Sequence, residues 1–154
     1  MASGHELTLG RSIGISFEHG EDLFGGIAEV CRELEVRQGF IPMFIAGLSE
    51  VSLAGTCSRV EDLAAPVWES VDLSYVEAHG SGTIAFEPEG GGISTHIHLS
   101  VGRRHQAAVG HTSHLLQAKV QFLVEMLLVE VVSPAMRRPL VPELYGVPRL
   151  QYTV

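Results

Sequence analysis

Side chains from Ile93 to Val101 change character one residue at a time. In an extended strand Thr95, Ile97, Leu99 and Val101 point to one face, and Ser94, His96, His98 and Ser100 to the other. Such a pattern suits a strand with one face on a core and one face open, so the chain must build a half-buried sheet. Ser12 to Phe17 alternates in the same way, with Ile13, Ile15 and Phe17 inward, and so does Val71 to Ala78. Phe40 to Ala46 and Glu50 to Ala54 read as two strands joined around Gly47-Leu48-Ser49. Gly80-Ser81-Gly82 reads as a tight bend or bulge before a strand over Thr83 to Phe86, and Pro88 to Gly92 as a turn. After a polar turn at Gly102 to Gln106, His114 to Val132 reads as one bent strand or two.

One segment departs from this period. Leu23, Ile27, Val30, Cys31 and Leu34 recur at helical spacing behind Gly20-Glu21-Asp22, whose acids suit the positive end of a helix, and Gly39 marks a stop nearby. Gly25-Gly26 falls inside that helix, as a packing or flexibility feature. Cys57 to Ser70 reads as a loop or short helix. The tail from Pro134 to Val154 carries four prolines, which exclude a regular helix or a central strand. Several strands and one helix predict a single α+β domain. Residues 1–10 read as an N-terminal tail, and 133–154 as an extension packing on the body or on a neighbouring subunit.

At 154 residues and 45% hydrophobic the chain can bury a core of its own. Eighteen acids oppose ten bases, and Lys119 is the one lysine. A net charge of −8 argues against nonspecific DNA binding, which needs many bases on one face; Arg103-Arg104 and Arg137-Arg138 are pairs, not patches. Cys31 and Cys57 lack C-x-x-C spacing and read as reduced buried thiols. Met1 to Gly10 shows no secretory signal, and Glu125 and Glu130 interrupt the apolar run Phe122 to Val132, so a soluble, cytoplasmic protein is expected.

The chemistry concentrates on histidine. At a rise of ~3.3 Å per residue, His96 and His98 lie roughly 6–7 Å apart at Cα, close enough for both rings to reach one ion. A third ligand would come from His111 or His114 on the following strand. Three histidines and one open position is the layout of a catalytic zinc site. The bland alternative is a pair of solvent-facing histidines on an edge strand. Glu77 and His79 share a strand face and could move protons near such a metal. Gly80-Ser81-Gly82 lacks the spacing, lysine and helix of a phosphate loop, and nothing completes a triad with Ser113. His5, His19 and His105 read as surface residues.

Taken in order, several stretches resemble the PPC (plants and prokaryotes conserved) domain family, in its stand-alone prokaryotic form. They are Gly20-Glu21-Asp22-Leu23, Ala46 to Leu53, Glu77 to Ile84, His96-Ile97-His98-Leu99-Ser100, and His114-Leu115-Leu116-Gln117-Ala118-Lys119-Val120, the last similar to the family's G-G-H-L-L-x-A-x-V. The resemblance runs from about Arg11 to Val132, a PPC-like domain over 11–132. It implies a largely antiparallel sheet with a flanking helix, a homotrimer, and metal ligands His96, His98 and His114 near a subunit boundary. That assignment leaves His111 as a proton carrier beside Glu77 and His79. Thr112-Ser113 replaces the usual G-G, Gly80 to Ala85 replaces the plant G-R-F-E-I-L stretch, and no AT-hook is present, so the plant proteins' DNA-binding role does not carry over.

The expectation is a zinc (or other divalent metal) enzyme acting on a small polar molecule by hydration, elimination, isomerisation or hydrolysis. The alternatives are a DNA-associated regulatory protein, or a ligand-binding module with a structural metal that Glu77 helps to close. No nucleotide, flavin or haem fingerprint is visible.

Overall fold

The computed structural model describes residues 2–56, 68–87, 92–103, 105–106 and 109–153. Five long elements of sheet and one helix make the body: β1 (Thr8–Glu18), α1 (Leu23–Glu33), β2 (Gly39–Thr56), β3 (Trp68–Glu87), β4 (Gly92–Arg103) and β5 (Gly110–Ser133). The sheet is antiparallel in the order β1-β5-β2-β3-β4, and β4 also pairs with β5. Strands β2, β3, β4 and β5 therefore close a ring of pairings.

Strand β5 makes this possible by serving two partners along one edge. Gly110 to His114 pair with β4, and Leu123 to Ser133 pair with β1, while β2 follows the other edge. Phe122, between the two halves, takes the left-handed backbone (φ 69) where β5 changes partner. The region expected as one bent strand or two is one strand.

The alternation read from the sequence becomes the core. Ile15, Phe17, Ile97, Leu99 and Val101 are buried beside Phe44, Leu48 and Ile84. Helix α1 covers them with Leu23, Ile27 and Cys31, each one turn from the next, and Asp22 caps it by accepting from the Gly25 N–H at 2.6 Å. The expected acids of the first turn resolve into this one cap. Gly26 sits where a Cβ would lie 2.4 Å from Phe17 Cε1, so its role is close packing of helix on strand. Burial pushes the Cys31 thiol up to about 11, which leaves it an inert core residue.

Two expectations give way to longer strands. The link expected at Gly47-Leu48-Ser49 is continuous β2: Leu48 is fully buried and pairs with Val76 and Val120. A register shift against β5 occurs there, and a Cβ on Gly47 would meet the Gln121 carbonyl oxygen at 2.4 Å, so the glycine marks a bulge and not a turn. Likewise Gly80-Ser81-Gly82 is no bend. It pairs unbroken with Leu99, His98 and Ile97 inside β3, and its glycines permit close approach of β4. Trp68 to Ser70 also open β3. Cys57, the rest of the segment up to Val67, and the turn at 88–91 lie outside the described residues.

Beyond β5 the chain returns across its own body as β6 (Ala135–Arg137), β7 (Leu140–Val141), a 3-10 turn (Pro142–Leu144), β8 (Val147–Pro148) and β9 (Gln151–Thr153). Met136 is fully buried with Ala85 and Val131 in a second small core. The buried Gln38 amide fastens the return, donating to the Val131 and Pro134 carbonyls (3.0 and 2.8 Å) and accepting from the Met136 N–H (2.7 Å). Among the described residues no helix is long and apolar enough to cross a membrane.

Candidate metal centre

His96 and His98 stand two apart on β4, so they share a face. The β4–β5 hairpin sets His98 directly opposite His114. Directly opposed residues of an antiparallel pair point to the same side, so the hairpin register alone delivers the third imidazole. Ring centroids lie 5.0 Å (His96–His98), 4.9 Å (His96–His114) and 5.5 Å (His98–His114) apart. One nitrogen from each ring lies within 4.8 Å of the other two. Tetrahedral zinc with nitrogen ligands at ~2.0–2.1 Å brings those nitrogens to roughly 3.3 Å, within reach of modest side-chain rotation.

The electrostatics fit the same donor set. The His96 imidazole is lowered to about 4, first by desolvation, then by the positive Arg138 and by His114 and His98. His114 is lowered by burial, His98 and Arg138. Neutral rings keep their lone pairs available, which is the form that binds a transition metal.

Strand β3 supports this face from the other edge of β4. A Cβ on Gly82 would sit 2.5 Å from the His96 carbonyl oxygen, and one on Gly80 2.7 Å from the His98 carbonyl oxygen. The pair Gly80 and Gly82 therefore lets β3 lie against the two histidine-bearing peptides.

The triad opens into a cavity of about 680 Å³ whose walls include Trp68, Arg138, Tyr145, Val147 and Pro148. The tail forms part of this wall because Tyr145 and Gly146 both take positive φ (56° and 77°), turning the β7–β8 hairpin over the histidines. Arg138 is 6% exposed and is held by the Ser94 carbonyl (3.3 Å), the Ser94 hydroxyl (3.4 Å) and the Thr83 hydroxyl. Neither Arg138 nor the tail wall figured among the sequence candidates. The only trace was an arginine pair in an acid-rich chain, and its depth in the fold comes from the path of the tail.

The remaining candidates separate by position. His79 is opposite Ser100, on the histidine face, and lines a groove with His98, Ser100 and Thr112. Glu77 is exposed and opposite Gly102, four residues beyond His98 along β4, or roughly 13 Å at ~3.3 Å per residue. His111 is opposite Val101, a core position, and so points to the other face. The structure brings His96, His98 and His114 together, puts His79 beside them, and keeps Glu77 and His111 away. The Ser113 hydroxyl donates to the Ala54 carbonyl, so it is bound into the sheet and is no nucleophile.

The histidine shifts predict an acid-sensitive protein. In metal-free protein, folded His96 takes up its proton only as pH falls to about 4, whereas the unfolded chain takes it up near 6.5. Between those values the unfolded state binds more protons, so this contribution to stability is complete above pH 6.5 and is lost as pH falls toward 4. Thermal melts in chelator should show Tm falling across that window, and His96→Gln should flatten the slope; an unchanged slope would refute the assignment.

The sequence matches the Plants and Prokaryotes Conserved (PCC) domain over residues 4–132. Similar solved structures include a metal-containing protein from Archaeoglobus fulgidus (TM-score 0.78, 18% identity, covering 97% of this chain and 99% of that one). A plant- and prokaryote-conserved (PPC) protein from Pyrococcus horikoshii aligns over 100% of both chains (TM-score 0.77, 19% identity). A protein from Ralstonia eutropha JMP134, named as a candidate DNA-binding protein, aligns over 91% of this chain and 90% of its own (TM-score 0.74, 20% identity). None of the curated proteins matches the chain.

Proposed function

The chain belongs to the Plants and Prokaryotes Conserved (PCC) domain family, and on that footing we propose that it is a metal-dependent enzyme of the cytoplasm, assembled as a homotrimer and acting on a small polar molecule. The observation that carries this reading is the three-nitrogen cluster within 4.8 Å at the floor of a cavity large enough for a small substrate. His96, His98 and His114 would hold a divalent transition metal, zinc by preference for an all-imidazole site. A metal in that position supplies Lewis-acid polarisation of a carbonyl or a lowered pKa of water, as hydration, elimination, isomerisation and hydrolysis all require.

The chain's own residues divide the remaining work. His79, in the groove beside His98, would move the proton in this reading, since Glu77 stands too far along the strand and His111 on the other face. The tail hairpin and Trp68 supply walls of the cavity. The similar protein from Archaeoglobus fulgidus is metal-containing, which supports a metal-binding reading of this fold.

A DNA-associated role is the second reading, favoured by the name of the Ralstonia eutropha relative. The net charge of −8 and the single lysine weigh against it. Elemental analysis of protein purified without chelator should find one transition metal per chain, and zinc added to stripped protein should raise its Tm. Absence of metal together with an unmoved Tm would overturn the metal reading, and salt-dependent duplex binding would then favour the second.

A further inference from the structure

This chain carries eighteen acids against ten bases, yet no aspartate or glutamate among the described residues lines the histidine cavity. It places a guanidinium there instead. Arg138 is nearly fully buried, and the ion pairs among the described residues are Arg11–Glu130 and Arg32–Glu29, so none neutralises it. Glu87 is the carboxylate whose field reaches Arg138, and the two form no ion pair. A buried charge without a partner is unfavourable unless something supplies one.

The guanidinium is also held in one pose. Its Nη1 donates to the Ser94 carbonyl and hydroxyl and its Nη2 to the Thr83 hydroxyl. Among the described residues these engage three of its five N–H donors and leave two, enough for the paired hydrogen bonds a carboxylate accepts. Ser94 precedes His96 by two residues on β4, and Thr83 is opposite His96 on β3. The groups that aim Arg138 therefore belong to the same pair of strands that positions the metal ligands.

We propose that the cavity is built for a small organic anion: Arg138 takes a carboxylate of the ligand while the histidine centre faces its reacting end. The inference deepens the metal-enzyme reading and rests on it for the second half of that sentence. A carboxylate is preferred over inorganic phosphate because the walls beside Arg138 are large and apolar (Trp68, Tyr145, Val147, Pro148) and suit a carbon-bearing ligand. A metal beside Arg138 would make the cavity strongly cationic, and an anionic substrate is what such a field concentrates. Arg138 and the tail wall lie after residue 132, where the family match ends.

The test is calorimetric titration of malonate, with its neutral diamide malonamide as control, into stripped and zinc-loaded protein. Malonate should bind the wild type and malonamide should not. Arg138→Gln should weaken malonate about 10- to 100-fold in either form, as expected for loss of a charged hydrogen-bonded pair, and leave the zinc-induced Tm rise intact. Arg138→Lys keeps the charge without the fork, so it should fall between the two and serve if the glutamine variant does not fold. Equal malonate binding by wild type and variant, or equal binding of malonate and malonamide, would overturn the proposal. Failure of zinc to bind while malonate still depends on Arg138 would refute the metal reading and leave the anion site standing.

Discussion

His98→Ala should remove the zinc response of this protein. With zinc at one hundred times the wild-type Kd, a single site adds about 2.7 kcal/mol, worth about 5–11 °C in Tm for a chain of this size. Even residues that merely orient a metal ligand are worth about 10- to 100-fold in affinity, so loss of a ligand should exceed about 100-fold. At the same zinc concentration the variant then gains no more than about 0.4 kcal/mol, a shift of a degree or two. His98 is exposed, so the substitution leaves the core alone and the metal-free Tm should hardly move. His111→Ala is the control: it faces the other side of the hairpin and should keep the full zinc shift. A full shift in His98→Ala, or its loss in His111→Ala, would contradict the three-histidine centre.

Gly80→Val should strongly destabilise the protein. A Cβ at this position meets the His98 carbonyl oxygen, Leu99 Cβ and Phe44 Cε1, all at 2.7 Å. One of these is backbone, and the other two belong to buried side chains at 0% and 2% exposure, so none can swing aside. The branched side chain must push β4 off β3 or displace Phe44. Overpacking of this kind costs about 1–3 kcal/mol, and with three obstructed directions the upper end is expected, or about 6–12 °C in Tm. Because β4 carries His96 and His98, zinc affinity should fall as well. A valine variant with wild-type Tm would mean that the glycine is not required for strand approach. Were Gly80-Ser81-Gly82 the bend suggested by its composition, valine there would be far better tolerated.

Much of the fold was legible because side-chain alternation is a local property. Ile13, Ile15 and Phe17, the helical stripe Leu23, Ile27, Cys31, and the two faces of Ile93 to Val101 read correctly, since burial on one face writes the period into the sequence. Glycine misled the reading at Gly47 and at Gly80-Ser81-Gly82. It serves equally for a turn and for two backbones in close contact, and only the neighbour across the ladder distinguishes them. In the site, His96 and His98 were legible as a pair. His111 and His114 differ by three positions, so at most one of them could share the face of that pair in a regular strand, but the hairpin register that selects His114 is not a local quantity.

By itself the sequence determined that there is a half-buried sheet, one covering helix, and two imidazoles on one strand face, because these follow from the order of neighbouring side chains. The family resemblance named His114 as the third ligand, but only the tertiary structure put its ring beside the pair, set His79 and not Glu77 next to them, and brought Arg138 and the tail hairpin into the cavity wall. Those outcomes depend on which strands pair, in what register, and where the chain returns. Each is set by contacts between residues far apart in sequence, such as Gln38 with Met136, His98 with His114 and Arg138 with Thr83, and no local pattern carries that information.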